Sequence, residues 1–71
     1  MGPINIQLNG EEKQTTTTSI ISLLTELKLN PEHVIVEING TIINKDAINH
    51  QPIKSNDTIE IIRYIGGGQT F

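Results

Sequence analysis

Apolar side chains alternate with polar ones near the start of the chain, where Ile4, Ile6 and Leu8 occupy every second position. This period of two predicts a half-buried β-strand. Asn9-Gly10 follows directly, and a hairpin is predicted because both residues tolerate the positive φ of a type I′ turn. The β-branched threonines that come next favour a second strand over residues 11–17.

The apolar period then changes from two to about 3.6 residues in the segment SIISLLTELKLNP, which predicts a helix. Ser19, at its start, is a favourable N-cap. We predict about two to three turns that end at Asn30-Pro31, since the residue before a proline avoids the helical region. The apolar face of this helix follows the i, i+3, i+4, i+7 spacing and consists of Ile20, Leu23, Leu24 and Leu27.

The second half of the chain contains another hairpin and the most apolar strand. Residues 34–38 alternate again, Asn39-Gly40 provides the turn, and a short strand is predicted around Ile42. A polar loop follows, with one helical turn predicted near residues 46–48 and a turn at 55–57. The segment TIEIIRYI is predicted to be the last strand, lying centrally in the sheet beside the first strand because it is the most apolar.

These elements predict an α+β domain with the β-grasp, or ubiquitin-like, arrangement. In it a mixed sheet of about five strands packs against one helix, since each must bury one apolar face. We place the β-grasp domain at residues 1–65 and a flexible Gly-Gly tail with a three-residue extension at residues 66–71. The predicted core consists of Ile4, Ile6, Leu8, Ile20, Leu23, Leu24, Leu27, Val36, Ile38, Ile59 and Ile61.

Composition and charge limit the classes of function. The chain has 71 residues, five Lys and Arg against eight Asp and Glu, and a net charge of -3, which argues against nucleic-acid and membrane partners. It has no cysteine, which excludes disulfides and thiolate chemistry and favours a reducing, cytoplasmic location. No apolar run approaches the roughly 20 residues that span a bilayer, and the start of the chain does not have the pattern of a signal peptide.

No group of catalytic side chains stands out in the sequence. His33 and His50 each lie in a predicted turn or loop without a second ligand at metal-binding spacing. Helix capping accounts for Ser19, and no base is indicated beside it. We therefore expect no catalytic residue, no metal and no cofactor bound by the chain itself, which favours a carrier or binding protein over an enzyme.

Three glycines, Gly66-Gly67-Gly68, follow the last predicted strand, and a segment without side chains is thin enough to enter a narrow tunnel. Taken with the order of the elements, this ending resembles the ThiS family of sulfur carriers in thiamin biosynthesis. The resemblance extends from Ile4 to Gly68. It rests on the order and spacing of INIQLNGEE, SIISLLTELKL, VIVEINGTII, NDTIEIIRYI and GGG.

The resemblance implies a specific chemistry at Gly68. A ThiF-like enzyme would use ATP to adenylate the Gly68 carboxylate, which would become a thiocarboxylate and donate sulfur to a ThiG-like thiazole synthase. Gly66 and Gly67 would thread into the activating enzyme. Gln69-Thr70-Phe71 depart from the family pattern and occupy the carboxyl group of Gly68. Since a zinc metalloprotease removes such extensions in some related carriers, the resemblance implies a similar removal here.

Two further departures from the family pattern lie inside the domain. Asn44-Lys45-Asp46 stands where Pro-Arg-Ser is common, and Asn56 replaces a glycine before Asp57. Asn56 is still a turn former.

A partner-binding surface is predicted from the alternation in the last strand. Ile62 and Tyr64 fall on the face opposite Ile59 and Ile61, and with Ile35 they are expected to dock the activating enzyme. The alternative is that these side chains close a minor cluster under a loop.

Three other functions remain open at this point. One is a MoaD-like small subunit of molybdopterin synthase, which shares the fold and the Gly-Gly ending. Another is a carrier for a different sulfur pathway, such as cysteine or homocysteine synthesis. The third is a ubiquitin-like interaction module whose tail is never activated. The genes beside this one would discriminate among them.

Overall fold

The computed structural model describes residues 2–64. Ile65 and the predicted tail, residues 66–71, lie outside the described residues, so the proposed boundary between domain and tail stays a prediction. The elements in chain order are β1 Ile4–Leu8, β2 Glu11–Thr15, α1 Ile20–Glu26, a 3₁₀ turn Pro31–His33, β3 Val34–Ile38, β4 Thr41–Ile43, α2 Lys45–Ile48 and β5 Thr58–Arg63.

The five strands form one mixed sheet in the order β2-β1-β5-β3-β4. β5 runs parallel to β1 and antiparallel to β3, while the β1–β2 and β3–β4 pairs are antiparallel hairpins. The prediction that the last strand lies centrally beside the first is confirmed. With α1 on one face, this is the β-grasp arrangement.

Both predicted hairpin turns are confirmed by their backbone angles. Asn9 and Gly10 have φ values of 50° and 85°, and Asn39 and Gly40 have 51° and 88°. Two successive residues with positive φ are the signature of a type I′ turn. Each asparagine also bonds to β5: Asn9 Oδ1 accepts from the Ile61 N–H at 2.8 Å, and Asn39 Oδ1 accepts from the Thr58 N–H at 2.9 Å. The two turns therefore hold the central strand from opposite sides.

Helix α1 begins as predicted but ends earlier. Ser19 is the N-cap, and its hydroxyl accepts from the Ser22 N–H at 3.2 Å. The predicted end at Asn30-Pro31 is wrong, because Lys28 takes a left-handed φ of 62° and the Leu29 N–H bonds back to the Leu24 carbonyl at 2.9 Å. That bond closes a Schellman motif, here with lysine at the position usually held by glycine.

The end of β2 differs from the predicted one, whereas α2 lies where a helical turn is predicted. The second strand, predicted over residues 11–17, ends at Thr15, because the Thr15 hydroxyl accepts the Thr17 N–H at 3.1 Å and turns the chain away from the ladder. The helical turn predicted near residues 46–48 is confirmed as α2, whose N-cap Asn44 accepts from the Ala47 N–H at 2.9 Å. Asn56 has a positive φ, as expected for the predicted turn at 55–57.

The core lies between α1 and the sheet, and most of its predicted members are confirmed. Ile4, Leu8 and Leu27 are only partly buried and pack against its edge. The prediction missed Val34, Ile48 and Ile53, which are buried. Ile48, at the end of α2, and Ile53 belong to the segment predicted as a polar loop, where no period indicates a buried face. The predicted residues found buried are Ile6, Ile20, Leu23, Leu24, Val36, Ile38, Ile59 and Ile61.

We expect Leu24→Ala to lower the free energy of unfolding by about 2–5 kcal/mol, because Leu24 is fully buried between helix and sheet. Denaturant titration measures this, and Thr25→Ala on the exposed side of the same helix provides a control with a change of about 0.5 kcal/mol or less. An unchanged midpoint for Leu24→Ala would contradict the packing of α1 on the sheet.

Candidate partner-binding surface

The sheet face opposite α1 exposes apolar side chains at its centre. Ile35 in β3 pairs directly with Ile62 in β5, and these side chains are 42% and 56% exposed. Ile59 and Ile61, on the other face of the same strand, are buried. The predicted alternation in β5 is therefore confirmed, while a docking role for this face stays a prediction.

A third exposed apolar residue, Ile42, lies on this face and is not among the predicted surface residues. Ile42 in β4 is 68% exposed and pairs with Glu37 of β3, so it lies on the same face as Ile35. The signal was present in the sequence: a two-residue Asn39-Gly40 turn fixes the register of the hairpin and places Ile42 opposite Glu37.

Two acidic residues lie next to the apolar ones. Glu37 and Glu60 are direct partners across the β3–β5 ladder, one row from the Ile35–Ile62 pair. Like charges at directly opposed positions destabilise a sheet. Among residues 2–64 the ion pair found joins Lys13 of β2 and Glu26 of α1 at 3.4 Å, so no Lys or Arg described forms an ion pair with Glu37 or Glu60. We call Ile35, Ile42, Ile62, Glu37 and Glu60 together the open-face patch.

Tyr64 directly follows β5 at the end of the sheet, and it is 39% exposed. Its hydroxyl donates to the Glu32 carbonyl at 3.0 Å and accepts from Lys45 Nζ at 3.1 Å. Its N–H donates to the His33 carbonyl at 3.0 Å. The hydroxyl and N–H of Tyr64 are thus engaged within the domain, and its grouping with Ile35 and Ile62 in one docking surface stays a prediction.

The family of this chain follows from comparison with known proteins. The model of the ThiS family matches residues 6–68. The chain belongs to the ThiS family. It is 37% identical over 65 residues to the sulfur carrier protein ThiS of Bacillus subtilis (strain 168), a match that covers 89% of this chain and 98% of that protein. The resemblance seen in the sequence is confirmed.

A solved structure supports the same assignment at the level of the fold. The crystal structure of the thiamine biosynthesis protein ThiS from Geobacter metallireducens superposes with a TM-score of 0.77 and 29% sequence identity. The superposition covers 92% of this chain and 100% of that one. The β-grasp fold predicted from the order of the elements is therefore confirmed.

A larger protein also contains a similar segment. The chain is 34% identical over 67 residues to a thiazole synthase of Magnetococcus marinus (strain ATCC BAA-1437 / JCM 17883 / MC-1). The match covers 93% of this chain but spans only 21% of that protein.

The predicted reactive site, Gly68, and the predicted threading residues, Gly66 and Gly67, lie outside the described residues. Their roles stay predictions. The match to the ThiS family model nevertheless ends at Gly68, directly before Gln69. The family pattern therefore ends at the residue whose carboxyl group is predicted to react.

The two histidines singled out in the sequence lie apart from the open-face patch. His33 and His50 are exposed, and no group of three or more His, Asp or Glu side chains in this part of the chain could hold a metal ion. A cleft of about 370 Å³ lies beside Tyr64 on the side of the sheet that α1 covers, with Lys28 and Arg63 in its lining. Within residues 2–64 the two α-helices have 7 and 4 residues, too few to span a bilayer.

Proposed function

We propose that this chain is a sulfur carrier of thiamin biosynthesis whose sulfur is held at Gly68. The observation that carries the proposal is the match to the ThiS family over residues 6–68, which ends at the last of three glycines. A carboxylate is a poor electrophile, and an activating enzyme of the ThiF type would convert it with ATP into an acyl adenylate, releasing pyrophosphate. A sulfur donor would then displace AMP and leave a thiocarboxylate.

The residues after Gly68 must be removed before this chemistry can begin. The Gly68 carbonyl is joined to Gln69 by a peptide bond, so it has no free carboxylate to react with ATP. Hydrolysis of that bond by a protease, of the metalloprotease class that the resemblance implies, would release the carboxylate. Glycine at positions 66–68 offers no side chain that would obstruct either a protease or the tunnel of an activating enzyme.

The acceptor of the sulfur is inferred to be a thiazole synthase. A segment similar to this chain occupies about a fifth of the thiazole synthase of Magnetococcus marinus, which supports a working relation between the two kinds of protein. The thiocarboxylate sulfur is a nucleophile tethered to a protein, so it reaches the synthase without being lost to solvent.

The carrier would contribute binding rather than catalysis, and it would bind no cofactor of its own, since ATP is bound by the activating enzyme. We assign docking of that enzyme to the open-face patch together with the ring of Tyr64. Exposed apolar side chains grouped beside a reactive segment are characteristic of interfaces. The Glu37–Glu60 pair favours a partner surface with Lys or Arg at the matching position. The absence of cysteine is compatible with the cytoplasm, where we place these reactions.

We expect Glu37→Gln to stabilise the free domain slightly and to weaken its use by the activating enzyme. Removing one of two opposed carboxylates relieves a repulsion of about 0.2–1 kcal/mol. The same change removes an attraction to a basic partner, so the association rate should fall and depend less on salt. Thermal unfolding and stopped-flow binding at two salt concentrations measure these effects. A higher Tm without weaker binding would contradict a basic partner surface.

Deletion of the gene in its own organism tests the proposed function. The deletion strain should require thiamin or its thiazole precursor for growth, and the gene should restore growth without it. A version that ends at Gly67 serves as the control and should fail to restore growth. A deletion strain that grows without thiamin but requires cysteine, or lacks molybdopterin enzymes, would favour another sulfur pathway. A strain with no requirement would favour an interaction module.

A further inference from the structure

Three separate segments of the chain meet at the side chains of Lys45 and Tyr64. Lys45, in the first turn of α2, donates to the carbonyl oxygens of Pro31 at 3.3 Å and Glu32 at 2.8 Å, and to the Tyr64 hydroxyl at 3.1 Å. A lysine ammonium has three N–H donors, and all three are used here. We call Lys45, Tyr64 and these two carbonyl groups the Tyr64 clip.

Tyr64 is held through its hydroxyl, its N–H and its ring. Its hydroxyl donates to the Glu32 carbonyl at 3.0 Å, and its N–H donates to the His33 carbonyl at 3.0 Å, which adds a bond beyond the Val34–Arg63 pair at the end of the ladder. Lys45 Nζ also lies 5.5 Å from the centre of the Tyr64 ring, within range of a cation–π contact.

Packing of the core does not account for this many contacts. Tyr64 lies outside β5, is 39% exposed and is not a member of the buried cluster. What distinguishes it is its place in the sequence, because it is the last residue before Ile65 and the three glycines. The contacts therefore hold the residue that directly precedes Ile65 and the glycines.

We propose that the Tyr64 clip is a positioning device that sets where and in which direction the reactive segment leaves the domain. This inference rests on the proposed function. Gly68 follows Tyr64 by four positions, and four extended residues reach at most about 14 Å. With so short a connection, holding Tyr64 in place restricts where Gly68 can lie. This restriction raises the effective concentration of the Gly68 carboxylate in the active site of an enzyme docked on the open-face patch.

Four substitutions separate positioning from a general effect on the fold. Lys45→Met removes the three donors and keeps the length of the side chain, and Tyr64→Phe removes the hydroxyl and keeps the ring. Lys45→Arg keeps the charge and the donors. Lys54→Met is the matched control, because Lys54 is an exposed lysine of the loop before β5, outside both the clip and the open-face patch.

The first measurement is amide hydrogen exchange by NMR on the whole chain. Lys45→Met should lower the protection of the Tyr64 amide about fivefold or more, since the clip no longer restrains this residue. The Ile61 amide, which is bonded to Asn9, should keep its protection and serves as the internal reference. Lys54→Met should change neither. Unchanged protection of Tyr64 in Lys45→Met would overturn the proposal, whatever the function of the chain.

The second measurement is pyrophosphate exchange by the activating enzyme of the same organism on chains that end at Gly68. Lys45→Met and Tyr64→Phe should each lower kcat/KM about three- to tenfold, and Lys45→Arg should restore most of it. Combining the two changes should cost no more than the larger single change, because both remove the same clip. Equal kcat/KM in wild type and Lys45→Met would overturn the proposal.

A longer connection distinguishes positioning from a structural role. Inserting three glycines after Gly66 should lower kcat/KM by itself, because a longer connection leaves Gly68 less confined by the position of Tyr64. In this lengthened chain Lys45→Met should therefore add less than about a twofold loss. The same loss at both lengths would mean that the clip acts only through the fold, and would overturn the proposal. A wild-type chain that is not adenylated at all would count against the proposed function instead, and the exchange of the Tyr64 amide would still decide whether the clip restrains this residue.

Discussion

A chain that ends at Gly68 is expected to support ATP–pyrophosphate exchange with its activating enzyme, whereas the chain continued through Phe71 is expected to give none above background. Formation of an acyl adenylate requires a free carboxylate as the nucleophile toward ATP, and in the longer chain the Gly68 carbonyl is part of a peptide bond. The fold should not differ, since all the strands and helices described lie within residues 4–63.

A chain that ends at Thr70 is the control for the position of the carboxylate. Its free carboxyl group lies two residues beyond Gly68, and residues 69 and 70 carry side chains. We expect no exchange from it. Mass spectrometry of the longer chains after the reaction must confirm that no residue was lost during the assay. Exchange by the uncut chain at the rate of the chain that ends at Gly68 would contradict the proposal that residues after Gly68 mask the site.

Ile62→Asp should abolish adenylation of the chain that ends at Gly68 while the domain stays folded. Ile62 is the central apolar residue of the open-face patch, and a carboxylate there would have to be desolvated against an apolar partner surface beside Glu60. Because the side chain is 56% exposed in the free domain, its replacement should lower the free energy of unfolding by no more than about 1 kcal/mol. Pyrophosphate exchange and denaturant titration measure the two effects.

Thr58→Asp is the matched control for Ile62→Asp. It introduces the same carboxylate on the same strand and the same face, but at an exposed position outside the open-face patch. Its adenylation should stay within about threefold of wild type, as expected for a charge outside the interface. If Ile62→Asp unfolds the domain, Ile42→Asp on the edge strand β4 tests the same surface. Full adenylation of a folded Ile62→Asp or Ile42→Asp variant would show that the residue changed is not part of the interface.

Much of the fold could be predicted because its signals are local. The alternation in residues 4–8 and 34–38 and the two Asn-Gly turns determine the hairpins, and the apolar character of β5 predicts its central place. The end of α1 could not be predicted in this way, since Lys28 adopts a left-handed conformation that the sequence pattern assigns to glycine. Ile53 was missed because its burial comes from tertiary contact: its N–H bonds to the Thr18 carbonyl across the domain.

The candidate site was predicted less completely than the fold. Period two places Ile35 and Ile62 on one face, but the opposition of Glu37 and Glu60 depends on the register between β3 and β5, which are distant in sequence. The contact of Lys45 with Tyr64 also joins distant segments, and no local pattern indicates it. The chemistry at Gly68 came from the resemblance to the ThiS family, because a run of glycines alone does not specify a reaction.

Intact mass spectrometry of the protein isolated from its own organism, grown without thiamin, tests the proposed sulfur-carrier function most directly. We expect a species that ends at Gly68 and in which sulfur replaces one oxygen of the terminal carboxylate. The sulfur-containing species should disappear when the activating enzyme is deleted. A protein that still carries Gln69-Thr70-Phe71 in cells that are making thiamin, with no sulfur-containing form, would contradict the account.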